Sequence, residues 1–417
     1  MKVLVVGGGG REHALAWKLA QEAEVHIAPG NPGTAAVGTN HSVAASDTAG
    51  LMALCRSLMP SLVVVGPEDP LIAGLADALR AEGFAVVGPG AAGARLEGSK
   101  AFSKELMAKA GVPTARYGTF TVPEEAARFA RHLFDDGAGA VVKASGAALG
   151  KGVVVAADFG EAEAAIRMMM VDRALGDAGA EVVVEERLAG REFSLLTLCS
   201  DAGFFSLPVA QDFKRALDGD LGPNTGGMGT YSPVPWLDPD VVSRTEAEVV
   251  APLLKQLVAE GVPYRGVLFS GLMVDGKTPK CLEYNVRFGD PETQTVMRRL
   301  GAGFLDALLA VASGDPIPAV QILDHAAVTV VLASGGYPGN YRKGAPIEIG
   351  DLPEGVVLFH AGTSRQDGQL VTSGGRVFGL SAVGPTVSDA RDLAYQALGS
   401  IRFEGMSYRT DIAATTA

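Results

Sequence analysis

Cysteine is scarce: three residues in 417, Cys55, Cys199 and Cys281, lie too far apart for a metal-ligand spacing or a disulfide framework. Aliphatic sequence surrounds Cys55 and Cys281, which reads as buried free thiols. Net positive charge is also missing. A formal charge of −12 excludes a broad nucleic-acid surface, although a few basic groups and backbone amides can still hold an anionic small molecule. No apolar run approaches the length of a membrane span. The opening Met1-Lys2-Val3-Leu4-Val5-Val6 enters glycine as a strand does, not as a signal peptide does. No repeat period of the collagen or solenoid kind organises the chain. A soluble, cytoplasmic protein without nucleic-acid or membrane partners is expected.

Hydrophobic residues make up 47% of the chain and charged residues 20%, ample for buried cores. The length suggests roughly two to four domains. Glycine, at 54 residues, is in surplus, much of it in loops between apolar runs where a backbone must approach something closely. Over residues 1 to about 100, Val3–Val6, Glu24–Ala28, Leu62–Val65 and Ala85–Val87 read as buried strands. Arg11–Gln21, Ala49–Leu58 and Leu71–Glu82 read as helices between them. That rhythm predicts βαβ units and a parallel sheet, with ligand loops at the carboxyl ends of its strands. Those loops, Gly7–Gly10, Pro29–Gly33 and Gly66–Pro70, should gather at one edge.

A helix over about Ser99–Ala110 is stopped by Gly111 and Pro113. Strand Ala140–Lys143, the glycine-rich Ser145–Gly152, strand Val153–Ala156, a helix near Glu161–Met170 and strand Glu181–Glu186 predict a smaller α+β lobe. Residues 190–300 read as antiparallel, ending in strands Val267–Val274 and Lys280–Asn285 around Asp275-Gly276. The tail from about Ala326 alternates strands with glycine turns and ends on a helix near Ser388–Leu398. It is expected as a separate small domain after Gly314–Pro318.

The first glycine run fails as a dinucleotide fingerprint. Counting G-x-G-x-x-G from Gly7 puts Glu12 at the third glycine, and the second strand ends without an acidic residue for a ribose 2′-hydroxyl. A nicotinamide cofactor is therefore disfavoured. A strand–glycine–helix junction suited to a phosphate remains, beside the plainer reading of a tight turn. Val142–Gly152 ends a strand on Lys143 and sets Lys151 between glycines, the positive charge and free amides a triphosphate requires, without Walker-loop spacing. Val182–Glu186 reads as an edge strand offering backbone to an adenine, with Glu192 for the ribose; solvated charges are the ordinary alternative.

Within Leu282–Gln294, Glu283 and Asn285 share one face of a strand, two hard oxygen ligands suited to Mg²⁺ alongside phosphate oxygens. Arg287 continues that face if the strand persists, and its guanidinium suits a carboxylate or acyl phosphate. Asp212, Lys214 and Arg215, with the loop Pro223–Gly229, offer phosphate neutralisation and amine binding, or else a merely flexible segment.

Taken in order, G-G-G-G-R-E-H-A at Gly7–Ala14, V-G-P-E at Val65–Glu68, L-E-G-S-K at Leu96–Lys100, P-N-T-G-G-M-G at Pro223–Gly229 and R-F-G-D-P-E-T-Q at Arg287–Gln294 resemble one family. It is the glycinamide ribonucleotide synthetases, also called phosphoribosylamine–glycine ligases, of the ATP-grasp superfamily. The likeness runs the length of the chain, including Ala361–Thr363 and Gly374–Arg376. It implies a multidomain α/β and α+β protein: a Rossmann-like substrate domain over 1–100, a two-lobed ATP-grasp core over 101–315 with its mobile lobe at about 119–190, and a small α/β domain over 325–417. It implies ATP-dependent joining of glycine to 5-phosphoribosylamine through glycyl phosphate, in purine biosynthesis, with Mg²⁺ or Mn²⁺. A monomer is expected.

Position by position, the resemblance implies that Lys104 (with Lys100 competing), Lys143 and Lys151 contact the nucleotide phosphates. Glu185, Glu186 and Leu188 fall at the adenine hinge, Glu192 at the ribose, and Glu283 and Asn285 at the metal. Gly9, Gly10, Pro29, Gly30 and Glu68 fall at phosphoribosylamine, with Asn224 and Asp290 also on the substrate side. Arg287, Asp212 and Lys214 are the catalytic candidates. Gly8, Ser145 and Phe213 stand where the family often has asparagine, aspartate and histidine. Gly271 stands near the place where many ATP-grasp enzymes carry a further acidic metal ligand. Glycyl phosphate and 5-phosphoribosylamine are both water-labile, so closure of Ala144–Gly152 is expected to shield them.

Overall fold

A computed structural model describes residues 1–146 and 152–414. Lys151 lies outside the described residues. At the N-terminus a five-stranded parallel sheet runs in the order Thr39–Asn40, Glu24–Pro29, Lys2–Gly7, Leu62–Val65, Val86–Val87. Val3–Val6 and Leu62–Val65 are buried on both faces, as strands covered by helices on either side must be. The three ligand loops meet at one edge: the Gly30 N–H donates to Gly7 O at 3.1 Å and the Gly66 N–H to Val6 O at 3.0 Å. The segment expected as one helix, Leu71–Glu82, instead lies across two, Glu68–Ile72 and Leu75–Ala81. Gly74, at φ +88°, ends the first and starts the second, a backbone only glycine adopts readily.

After the helices Ala91–Gly98 and Lys100–Ala110 comes a small antiparallel sheet, in the order Tyr117–Phe120, Val182–Glu186, Ala140–Ala144, Val153–Ala156. Val182–Glu186 is therefore an interior strand, not the expected edge, because Tyr117–Phe120 takes its outer side. The larger antiparallel sheet runs Gly203–Ser206, Arg191–Ser200, Gly266–Asp275, Thr278–Asn285. The tail does not complete a sheet alone. Ala326–Ala333, Arg376–Gly384 and Val356–His360 are joined by Gly229–Ser232 and Gln211–Asp212 from the preceding region. A strand that serves two parts carries Asp212 from the tail's sheet straight into the central cleft. One apolar core links the N-terminal region, the large sheet and the tail, with Leu4, Phe193, Tyr231 and Phe378 in a single buried cluster, while the small lobe buries a core of its own around Ala130, Val142 and Val184. No helix among the described residues is long and apolar enough to cross a membrane.

Candidate active site

The small sheet, the large sheet and both terminal regions enclose a cleft of about 1620 Å³. On one wall, register sets Val141 opposite Glu185 and Lys143 opposite Val183, so Lys143 and Glu185 are diagonal neighbours on one face. Helix Lys100–Ala110 adds Lys104, whose Nζ lies 2.6 Å from Glu185 Oε2 and donates to Thr114 Oγ1 at 2.7 Å. Lys143 pairs with the other Glu185 oxygen. All three side chains are buried. Burial opposes each charge. The two lysines still hold the Glu185 carboxyl below its usual range, and Glu185 with Glu283 holds Lys143 above its own. For Lys104 burial prevails and its ammonium is pushed down. The Glu185 side chain thus faces the lysines. The strand's continuation, Arg187–Ala189, lines the cleft where a hinge would meet an adenine.

Facing this wall, Glu283 and Asn285 close the strand Thr278–Asn285 and both line the cleft. Burial works against the Glu283 charge, but Lys214, Lys143, Lys100 and Arg287 outweigh it and hold the carboxyl below its usual range. Gly271 is the register partner of Glu283, so the neighbouring strand offers no side chain there. Two oxygen donors that stay ionised or neutral-polar, with space beside them, fit a Mg²⁺ that takes its remaining ligands from phosphate and water.

The strand ends at Asn285, so alternation does not place Arg287 as expected. Ion pairs place it instead: Nε lies 3.2 Å from Glu68 Oε2 and Nη2 2.9 Å from Glu97 Oε1. Burial opposes the guanidinium charge, yet Glu97 and Glu68 raise its proton affinity above the usual. Glu97, which also accepts the Val286 N–H at 2.8 Å, went unassigned in the sequence although it sits inside L-E-G-S-K.

Deeper in the cleft, Lys214 Nζ lies 3.4 Å from Asp212 Oδ2 and 3.7 Å from Glu192 Oε2. Among the described residues Asp212 Oδ1 is buried without a hydrogen-bond partner, an acceptor awaiting a donor. Beside it Glu292 accepts from Ser194 Oγ at 3.2 Å. Burial, then the Asp212 charge, push the Glu292 carboxyl up to about 7. Glu292 stands inside the Arg287–Gln294 motif, where the sequence alone assigns it no role.

The N-terminal candidates cluster beside the cleft. Glu68 and Arg11 line it, whereas Gly9, Gly10, Pro29 and Gly30 are absent from its lining. The Gly9 N–H donates to Glu12 Oε2 at 2.7 Å, closing the first turn of the helix Gly10–Leu19. A Cβ on Gly10 would come 2.6 Å from Gln294 Nε2, and one on Gly8 2.6 Å from Gly30 O, so position 8 has no room for asparagine. Asn31 supplies an amide there, donating to Gly8 O and to His360 O, each at 2.9 Å. Ser145 accepts the Ala101 N–H at 3.2 Å at the start of the Lys104 helix, and Phe213 lies under the Arg409 guanidinium.

Asn224 lines the cleft, and the loop after it is held from the C-terminal region. Arg376 donates from Nη1 to Gly226 O at 2.5 Å and to Asp290 O at 2.8 Å, and its Nη2 lies 3.1 Å from Asp290 Oδ2. Tyr337 Oη accepts the Gly226 N–H at 3.1 Å. The glycine-rich segment 223–229 and the Arg287–Gln294 segment are thereby tied into one surface by a residue 86 positions beyond Asp290.

A two-lobed nucleotide cleft between antiparallel sheets defines the class, the ATP-grasp fold. A solved biotin carboxylase domain of Hydrogenobacter thermophilus 2-oxoglutarate carboxylase, described as a complex with MgADP and bicarbonate, shares it at TM-score 0.73. That pair is 18% identical over 98% of this chain and 91% of the other. Residues 1–97 match the phosphoribosylglycinamide synthetase N domain, residues 98–293 its ATP-grasp (A) domain and residues 327–415 its C domain. The chain belongs to the phosphoribosylglycinamide synthetase family. It is 47% identical to the phosphoribosylamine–glycine ligase of Rhizobium meliloti, over 99% of this chain and 98% of that one. The crystal structure of the Thermotoga maritima phosphoribosylamine–glycine ligase superposes with TM-score 0.86 at 37% identity, over 99% of this chain and 100% of that one.

Proposed function

We infer that this chain is an ATP-dependent carbon–nitrogen ligase joining glycine to 5-phosphoribosylamine, giving glycinamide ribonucleotide, ADP and phosphate. The observation that carries this is the convergence in one cleft of the Lys104–Glu185–Lys143 cluster, the Glu283–Asn285 pair and the Glu68–Arg287–Glu97 bridge. Lys104 and Lys143, with Lys151, neutralise the nucleotide phosphates, and the hinge Glu185–Leu188 and Glu192 hold the nucleoside. Glu283 and Asn285 hold Mg²⁺, or Mn²⁺ in its place. When bound, the metal neutralises charge on the phosphoryl groups.

Glycine carboxylate attacks the γ-phosphorus, its oxygen forms the new P–O bond and ADP leaves. Asp212, through its unpaired Oδ1, accepts from the glycine ammonium, while Lys214 and Arg287 face the carboxylate and the transferring group. The phosphoribosylamine nitrogen then attacks the acyl carbon, the C–O bond to phosphate breaks and the nitrogen gives up one proton. Gly9, Gly10, Pro29, Gly30, Glu68, Asn224 and Asp290 form the amine side. We propose a cytoplasmic monomer. A substrate-omission assay tests the reading, with phosphoribosylamine generated in the cuvette from ribose 5-phosphate and ammonia. Full-rate phosphate release should require ATP, glycine and the amine together. Turnover with another acid or amine in place of either would point to a different ATP-grasp ligase.

A further inference from the structure

The helix Gly10–Leu19 opens beside the cleft and ends at a second cavity, of about 570 Å³. Its wall joins three regions: Trp17, Lys18 and Gln21 from the first helix and its end, Arg298 and His325 from the stretch between the matched ATP-grasp and C domains, and Val383 from the last long strand. Two cations sit in this wall. Lys18 is 5% exposed; its Nζ donates to Leu300 O at 2.8 Å and Gln21 Oε1 at 3.1 Å, using two of three N–H donors. Arg298 donates from Nη2 to Gly355 O at 2.9 Å and lies over the Trp17 ring at 5.0 Å, and its Nε is buried without an acceptor among the described residues.

In the catalytic cleft the buried Lys104 and Lys143 share Glu185, and the half-buried Arg287 takes Glu68 and Glu97. Lys18 and Arg298 face carbonyls and an amide. Among the described lining residues the one acid, Glu22, is exposed and favours the Lys18 charge too weakly to offset burial. Burial alone draws the Arg298 guanidinium down to about 10. A recessed positive charge without a counter-charge is unfavourable, and an oxyanion in the cavity would relieve it while supplying acceptors.

We propose that this junction cavity is a second ligand site, separate from the catalytic cleft, that takes the phosphate or carboxylate group of a small metabolite on Arg298 and Lys18. Both cations follow directly from substrate-side elements, Lys18 from the helix begun by Gly10 and Arg298 from the segment bearing Glu292 and Gln294. A ligand held there bears on the packing of the three regions around the amine side.

Trp17 and Trp236 are the only tryptophans, so Trp236→Phe leaves Trp17 as a local reporter. Inorganic phosphate and citrate are titrated separately at ionic strength held constant with chloride. A saturable change in Trp17 emission with either anion supports the site, and its identity tells phosphate from carboxylate recognition. Arg298→Gln and Lys18→Gln should each weaken that response tenfold or more. Lys18→Gln leaves the Arg298–Trp17 stack in place, so it serves if Arg298→Gln fails to fold. A response that chloride reproduces, that does not saturate, or that survives Lys18→Gln unchanged would overturn the proposal and leave Arg298 as a clamp on Trp17.

Discussion

Replacing Glu185 with glutamine keeps the side chain's shape and removes the one negative charge between Lys104 and Lys143. Both lysines are at most 6% exposed, so neither recovers water when the carboxylate goes. Breaking a buried ion pair by removing one partner costs about 3–5 kcal/mol, because the remaining charge is left unpaired. For a domain of roughly 200 residues each kcal/mol lowers Tm by about 2–4 °C, so the ligand-free variant should melt about 6–20 °C lower. The same change leaves both ammonium groups open to an anion. ATP with Mg²⁺, glycine being omitted to prevent turnover, should therefore raise the variant's Tm by more than it raises the wild type's, because phosphate oxygens replace the lost carboxylate. Differential scanning fluorimetry with and without nucleotide measures both shifts. An ATP-induced gain equal to or smaller than the wild type's would refute the assignment of these lysines to the phosphates.

Glu283→Gln should abolish turnover with the fold intact, and full activity at limiting Mg²⁺ would remove Glu283 from the metal site. Arg376→Ala should loosen the tie between Gly226 and Asp290, weakening glycinamide ribonucleotide binding at least tenfold by calorimetry while ATP-analogue affinity stays within twofold; Arg376→Lys should recover part of the loss. Glu292 holds its proton more tightly folded than unfolded. Its contribution to stability is therefore greatest below the ordinary carboxylate range and lost as pH rises through about 7. Urea melts of the unliganded enzyme at pH 5 and pH 8 should show that fall, and Glu292→Gln should flatten it.

The elements set by local pattern were legible. Val3–Val6 and Leu62–Val65 are unbroken apolar runs at the heart of their strands, and the helix Lys100–Ala110 has a serine cap and a glycine stop, so sequence and backbone agree. What went unread depends on who lies next to whom. Val182–Glu186 has the composition of any buried strand, and only the distant Tyr117–Phe120 makes it interior. Glu97, Glu292 and Arg376 stood inside motifs that had been noticed, but a charge shows its role only with its partner: Glu97 with Arg287, Glu292 beside Asp212, Arg376 with Asp290. Gly74 was passed over because a single glycine inside a helical pattern is ambiguous until its φ is known. The Glu283–Asn285 pair is legible because strand alternation alone puts both on one face, Lys143 because it stands at the end of a strand before a glycine-rich segment, and Lys104, on a helix, only through the family resemblance.

The central claim is that this cleft activates the glycine carboxylate by phosphoryl transfer before the amine attacks, and oxygen tracing tests it most directly. With glycine labelled by ¹⁸O in both carboxylate positions, together with ATP and phosphoribosylamine, the phosphate released should carry one ¹⁸O per turnover and the amide product should keep the other. Released phosphate free of ¹⁸O, with the oxygen lost from glycine recovered in the nucleotide or in water instead, would contradict an acyl phosphate route and the account built on it.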